Sequence, residues 1–263
     1  MQATSSIERQ RRLLLPTSGT IEVAGLKDEI WIIDGKESRP MNQLDKKAPA
    51  DIQVRPARID DAPFLAWVCL ASGRSHCQRG IWDVILNRPE QKCLAFLEYL
   101  VVTKRLHTYH YSGFVVAEID GQRAAALSGY NSKELGDAQD RWGCWEAGRK
   151  VGISMFDWWR NRKRISAVEA IRPHAAAGAW IIESVATLPE FRRQGLVDRL
   201  LKDILEIGRR KGFRLAQVSV FIGNTAAQNA YEKCGFSVID ERRNADFEAE
   251  TGCPGIARLL RAL

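Results

Sequence analysis

Two arginines, a glutamine and a glycine stand in a row at Arg192-Arg193-Gln194-Gly195, inside the stretch "PEFRRQGLVD". After them, Val197, Leu200, Leu201, Ile204 and Leu205 recur at the spacing of one helix face. Asp198, Arg199, Lys202, Asp203 and Glu206 take the other face, and Gly212 is a stop signal. Before them, "AWIIESVATL" (residues 179–188) reads as a mostly buried strand that Pro189 ends. The stretch is therefore a strand-to-helix turn. The first N–H groups of such a helix have no intrahelical partners, and its dipole adds positive potential there. With two arginines alongside, the chemistry on offer is anion binding, most naturally of phosphate. An ordinary β–α loop with solvated arginines fits the same residues.

A second chemical group lies inside the preceding strand. Glu183 alternates in facing with Ile182, and a lone carboxylate in so apolar a run is costly to bury without a task. It could also face solvent at a strand end. Other reactive types are less suggestive. His107 and His110 are three apart, but "HTYHYSGF" reads as the approach to a strand rather than as a metal site. The six cysteines are scattered, with no Cys-x-x-Cys pair, which argues against a zinc ribbon or a disulfide scaffold and for a reduced compartment. No metal is expected.

The elements that must position these groups can be read along the chain. It has 263 residues, 45% of them hydrophobic, and a net charge of +7. That size holds one large domain, or one domain plus an extension. The basic balance suits an anionic ligand such as a nucleotide cofactor, and also weak nucleic-acid or membrane-surface contact. Charges interrupt every apolar run before the ~20 residues a spanning helix needs. The N-terminus lacks a secretory h-region; a cytoplasmic location is expected, with an organelle transit peptide left open and Glu8 arguing against it. Residues 1–50 read as an extension, with one strand-like piece, "EIWIIDGKE", and the polar linker "MNQLDKKAPAD". Then follow a strand at 52–56, a helix capped by Asp60 and Asp61, and a helical region over 81–103. "GFVVAEIDGQRAAALSGY" is a hairpin about Asp120-Gly121. Residues 131–178 are polar, helical in tendency and aromatic. A strand at 213–222, a helix at 225–233, a strand at 236–241 and a last strand over "IARLLRAL" complete the chain.

In this setting the loop resembles the phosphate loop of the GNAT superfamily of acyl-CoA N-acyltransferases, Arg/Gln-x-x-Gly-x-Gly/Ala, here Arg192-Arg193-Gln194-Gly195-Leu196-Val197. "NTAAQNAYEKCGF" is similar to the family's Asn-x-x-Ala…Tyr-Glu-Lys-x-Gly-Phe segment, and "VRPARIDDAPFL" to its first strand and helix. The resemblance covers residues 52–263 and is weakest over 131–178. It implies an α/β (α+β) fold: a mixed central sheet splayed at the cofactor site, flanking helices and a helical, Trp-rich insertion at 131–178. The domain would be 51–263, behind an extension of unknown role.

The resemblance also implies roles. Backbone N–H groups of Arg193, Gln194, Gly195, Leu196, Val197 and Asp198 would hold the pyrophosphate of acetyl-CoA, with Arg192 and Arg193 supplying charge. Backbone groups of Val185, Ala186 and Thr187 would receive the pantetheine arm, and Asn224 would hydrogen-bond the cofactor. Val197 departs from the family's Gly/Ala, and its methyls would crowd the helix start. Tyr231 would protonate the departing thiolate, or be a core aromatic; Glu183 would accept the amine proton. Cys234 is packing. The implied function is acetyl-CoA-dependent N-acetyl transfer to a primary amine, small or on a protein. A non-catalytic acyl-CoA-binding module and a chromatin- or nucleic-acid-associated acetyltransferase are the alternatives. Trp142, Trp145, Phe156, Trp158 and Trp159, with Asp140, Glu146 and Asp157, suit an aromatic amine, or simply pack on one another. "WWRNRKR" could meet an acidic partner. No membrane or nucleic-acid partner is expected, and a homodimer fits.

Overall fold

The computed structural model describes residues 52–263, and of the preceding segment the backbone of three strands, Glu22–Leu26 (β1), Glu29–Asp34 (β2) and Glu37–Pro40 (β3). These pair antiparallel in the order β1-β2-β3. The linker expected at 41–51 lies outside the described residues. The chain divides into two compact units, Met1–Asp51 and Ile52–Leu263.

The second unit is organised by a hairpin. Asp120 and Gly121 both take positive φ (49° and 77°), the conformation a tight two-residue turn needs, and they join Phe114–Ile119 (β5) to Gln122–Asn131 (β6). Ile52–Pro56 (β4) pairs with β5 on one side. Ala179–Thr187 (β7) pairs antiparallel with β6 and parallel with Leu215–Phe221 (β8). Ser237–Arg243 (β9) and Gly255–Ala262 (β10) complete a seven-stranded mixed sheet, β4-β5-β6-β7-β8-β10-β9.

The helices cover both faces. Ala62–Arg74 (α1), Ile81–Leu86 (α2) and Glu90–Leu100 (α3) bring Leu65, Phe96, Leu97 and Leu100 into one core with Phe114 and Val116. By the two-residue period Val115 and Ala117 turn to the other face, where Leu196–Arg210 (α7) packs. The long amphipathic stripe expected from the sequence holds at Leu200, Leu201, Ile204 and Leu205, all buried; at its start Leu196 is buried and the expected Val197 only half-buried. Each fully buried leucine contributes about 1.5–3 kcal/mol of transfer free energy. Asp137–Lys150 (α4), Met155–Arg160 (α5) and Arg162–Ile171 (α6) fill 131–178; Thr225–Lys233 (α8) and Ala245–Thr251 (α9) follow.

Three local expectations change. The helical region at 81–103 is broken between α2 and α3, where Asn87 is left-handed and Pro89 lacks an amide donor. Asp61 stands at the start of α1 but does not cap it. Its carboxylate instead accepts from the Arg58 backbone N–H and from the guanidinium groups of Arg55 and Arg123, charged donors that bind a carboxylate more strongly than a helix amide does. Finally, α9 was not anticipated; Asn244 caps it and Gly252, at φ 75°, ends it. Among the described residues, no helix is long and apolar enough to cross a membrane.

Candidate active site

The site begins where β7 changes character. Ala179, Trp180, Ile181 and Ile182 are buried, and they pair in register with Leu215, Ala216, Gln217 and Val218 of β8. Ser184 then takes a positive φ of 55°, and the pairing of β7 with β6 slips between Ala126 and Ser128. Beyond Ile182 the pairing with β8 stops, so the two parallel strands separate. The backbone of residues 183–187 along that edge has no ladder partner. A cavity of about 810 Å³ fills the gap. Its floor is Glu183, Ser184, Val185, Ala186 and Thr187 on one side and residues 218–221 of β8 on the other. The splayed sheet read from the sequence is this separation.

One end of the cavity is lined by two exposed arginines at the start of α7. Leu188 and a short turn at Pro189–Phe191 lead into Arg192, Arg193, Gln194 and Gly195, all exposed. Arg193 has φ 62° and Gly195 φ 76°, so the loop reverses before α7 starts at Leu196. Nothing lies within 4 Å of where a Gly195 side chain would begin; the glycine serves the left-handed backbone, not a tight space. Arg192 bonds the Thr187 carbonyl (3.4 Å), and neither Arg192 nor Arg193 joins an ion pair among the described residues. Val197 lines the cavity at the helix start, with Asp198 one residue on. The Thr187 hydroxyl, also on the cavity wall, is buried without a partner. An orphaned hydroxyl and an unpaired strand edge together form a hydrogen-bonding cradle for a flexible polar arm.

Tyr231 and Asn224 come from α8. The Asn224 carboxamide oxygen accepts the Ala227 N–H (3.1 Å) and caps α8, while its NH₂ donates to Ser75 Oγ (2.7 Å) at the end of α1. One N–H remains for a ligand. Tyr231 lies buried on the cavity wall, edge-on to Phe236, and its hydroxyl makes no hydrogen bond among the described residues. Burial pushes its phenol well above the ordinary value, so it stays protonated at any pH where amines react.

Glu183 is half-buried in the cavity wall. Burial raises its carboxyl pKa; Arg172 opposes that, Asp140 adds to it, and a hydrogen bond from Tyr130 opposes it. A carboxylate moved toward neutrality in this way is a better proton acceptor. All six cysteines are free, and burial raises every thiol; Cys69, on the cavity wall, reaches about 12. None offers a thiolate. His107 is buried in a structural role: it accepts the Tyr109 N–H (3.2 Å) and bonds the Leu100 carbonyl (3.0 Å).

Of the two readings of the aromatics in 131–178, packing on one another is the one the structure shows: Trp142 lies edge-on to Trp145 and Phe156 stacks on Trp159. Trp142, Trp145, Phe156 and Trp159 are exposed, Trp158 packs on Phe96, and none of the five lines the cavity. Three of them instead carry arginines on their faces: Arg105 over Trp142, Arg149 over Trp145 and Arg162 over Trp159. The carboxylates of that segment are also committed. Asp140 accepts from Thr108, Glu146 from the Lys104 N–H, and Asp157 caps α5 and pairs with Arg88. Besides Phe191, Phe221 and Tyr231, the cavity takes aromatics from Trp67 and Trp82, on α1 and α2, and from Tyr109; Arg172 and Pro173 are the contribution of 131–178. Helical spacing makes Trp67 and Trp82 indistinguishable from core residues, so nothing in the pattern marked them.

Comparison with known proteins accords with this geometry. Residues 79–236, more than half of the chain, match the family model described as the acetyltransferase (GNAT) family. A crystal structure titled as an acetyltransferase superposes with a TM-score of 0.58 at 16% identity, covering 80% of this chain and 98% of that one. An N-acetyltransferase from Staphylococcus aureus Mu50 gives 0.53 at 17% identity, over 79% and 99%. With the family model spanning the loop, the splayed strands and α8 together, the chain belongs to the acetyltransferase (GNAT) family.

Proposed function

We propose that the chain transfers an acetyl group from acetyl-CoA directly to a primary amine. One observation carries this reading. A single cavity joins the exposed Arg192-Arg193 loop at the N-terminus of α7, the unpaired edge of β7, the Tyr231 hydroxyl and the Glu183 carboxylate. The donor supplies an activated thioester carbonyl. First-turn amides of α7 and Arg193 receive its phosphates, and the free edge at Val185, Ala186 and Thr187, with the orphaned Thr187 hydroxyl, receives its amide-containing arm.

Two proton movements fall to the protein. Glu183 accepts a proton from the attacking amine as the C–N bond forms. Tyr231 gives one to the sulfur as the C–S bond breaks, so that amide and free thiol leave. The raised Glu183 pKa suits the first task and the persistently protonated phenol the second. Trp67, Trp82 and Tyr109 border the space where the acceptor enters. The test is thiol release from acetyl-CoA with an amine panel of arylalkylamines, polyamines and lysine peptides, with the amide product identified by mass. Tight donor binding with no amide from any member would overturn catalysis.

A further inference from the structure

Arg172 is the one charged residue that the segment between α6 and β7 contributes to the cavity. Its guanidinium has three acceptors, two on α4 and one on the loop before β5: Nη2 donates to the Tyr109 hydroxyl at 2.9 Å and to Asp140 Oδ2 at 3.5 Å, and Nη1 donates to Asp137 Oδ1 at 3.4 Å. Asp140 is itself held by the Thr108 N–H (3.0 Å) and hydroxyl (2.9 Å), so the anchor is rigid.

Glu183 shares the cavity wall with Cys69 of α1, Tyr109 of the loop before β5 and Arg172 at the end of α6. Tyr130 of β6 and Asp140 of α4 also act on its carboxyl. Cys69 and both tyrosines keep their protons, since burial raises all three. That leaves one cation and one anion acting on the carboxylate. Resting on the reading of Glu183 as proton acceptor, we propose that Arg172 is a positioning residue for the transfer, holding the acceptor end of the cavity in its Glu183-ionised, proton-accepting state while Tyr109 and Asp140 hold Arg172.

The physical argument is one of balance. A cavity wall poor in water favours the neutral acid, and a neutral Glu183 cannot take a proton. A fixed guanidinium offsets that cost without salt-bridging Glu183, so the carboxylate oxygens stay available to the amine. Asp140 acts with the opposite sign on Glu183 and limits the offset, leaving the carboxylate basic rather than over-stabilised.

The experiment follows kcat against pH with acetyl-CoA and the best amine of the panel. Where both the amine and Glu183 must be deprotonated, the acid side rises with a slope of two at low pH and breaks to one; the break belongs to Glu183. Arg172→Gln is expected to move the break upward by about one pH unit, the low end for losing a neighbouring opposite charge. Asp140→Asn is expected to move it downward, and Arg172→Lys to restore most of the wild-type position. A uniform loss of rate in Arg172→Gln, with the break unmoved in both it and Asp140→Asn, would overturn the proposal and leave Arg172 a structural tie. Glu183→Gln separates the two readings: it must leave a slope of one throughout, and a break that survives in it overturns Glu183 as acceptor instead.

Discussion

The Ser128 hydroxyl donates to the backbone carbonyl of Glu183 at 3.1 Å, across the point where the β6–β7 register slips. Ser128 is 1% exposed, so this bond is made out of reach of water. It ties the two register partners on the far side of that slip, one residue before the left-handed Ser184. The cavity exists because β7 turns here, and the Ser128 bond holds the turn.

Ser128→Ala should therefore cost about 1–3 kcal/mol of stability, the range for leaving a buried polar group unpartnered. Urea unfolding measures it. Because Glu183 sits on the affected residue, kcat should fall more than the affinity for coenzyme A does. A stable variant with unchanged kinetics would mean that the kink at Ser184 sustains itself.

Gly195 offers a sharper test of the phosphate loop. Its φ of 76° is strained for any residue with a side chain, and a β-branched one resists it most. No neighbour would clash, so the fold should survive Gly195→Val while the amides before α7 lose their alignment. Coenzyme A should raise the melting temperature of the wild type by mass action, and most of that shift should vanish in the variant. An equal shift in both proteins would remove the loop from cofactor binding.

The fold was largely legible because its signals are local. The α7 stripe, the Asp120-Gly121 hairpin and the run from Asn224 to Phe236 each need only neighbouring residues to be read, and all three stand as expected. The site was half legible for the same reason. Residues 192–198 and the β7 strand are contiguous, but the acceptor end is assembled from positions far apart in the chain. Arg172 reaches Tyr109 across 63 positions, and Asn224 reaches Ser75 across 149. The tryptophans of 131–178 left two readings open because composition does not carry solvent exposure, which decides between them.

Asp61 governs the acid stability of the cavity's α1 wall. Burial would raise its pKa, but hydrogen bonds from Arg55, the Arg58 N–H and Arg123 prevail and hold the carboxyl well below the ordinary value. A folded-state pKa that is depressed gives stability that is present above the unfolded value, about 4, and is lost as pH falls below it toward the folded value. Asp61→Asn should remove ~3 kcal/mol at neutral pH, the scale for breaking a buried ion pair from one side. It should also flatten the dependence of stability on pH below about 4. Denaturant melts at several pH values would show it; a parallel loss at every pH would assign the effect to packing instead.

The last prediction concerns the two proton carriers together. Tyr231→Phe keeps the ring against Phe236 and deletes only the hydroxyl, so coenzyme A affinity should barely change while kcat falls roughly 10²-fold, the usual scale for a lost general acid. Glu183→Gln removes the proton acceptor, so its rate should follow the neutral amine alone, with a slope of one on the acid side and no break. Its deficit against the wild type should be fully present once Glu183 is ionised and should narrow below that pH, where the wild type loses its own acceptor. Tyr231→Phe should keep the wild-type break, because its defect lies in the departing sulfur. Both variants, followed over one pH series with cofactor binding measured separately, therefore diverge at the acid end. Full turnover in Tyr231→Phe would make the tyrosine a core aromatic and leave the thiolate to water. A wild-type profile in Glu183→Gln would take the amine proton elsewhere, and no carboxylate of 131–178 lines the cavity to receive it.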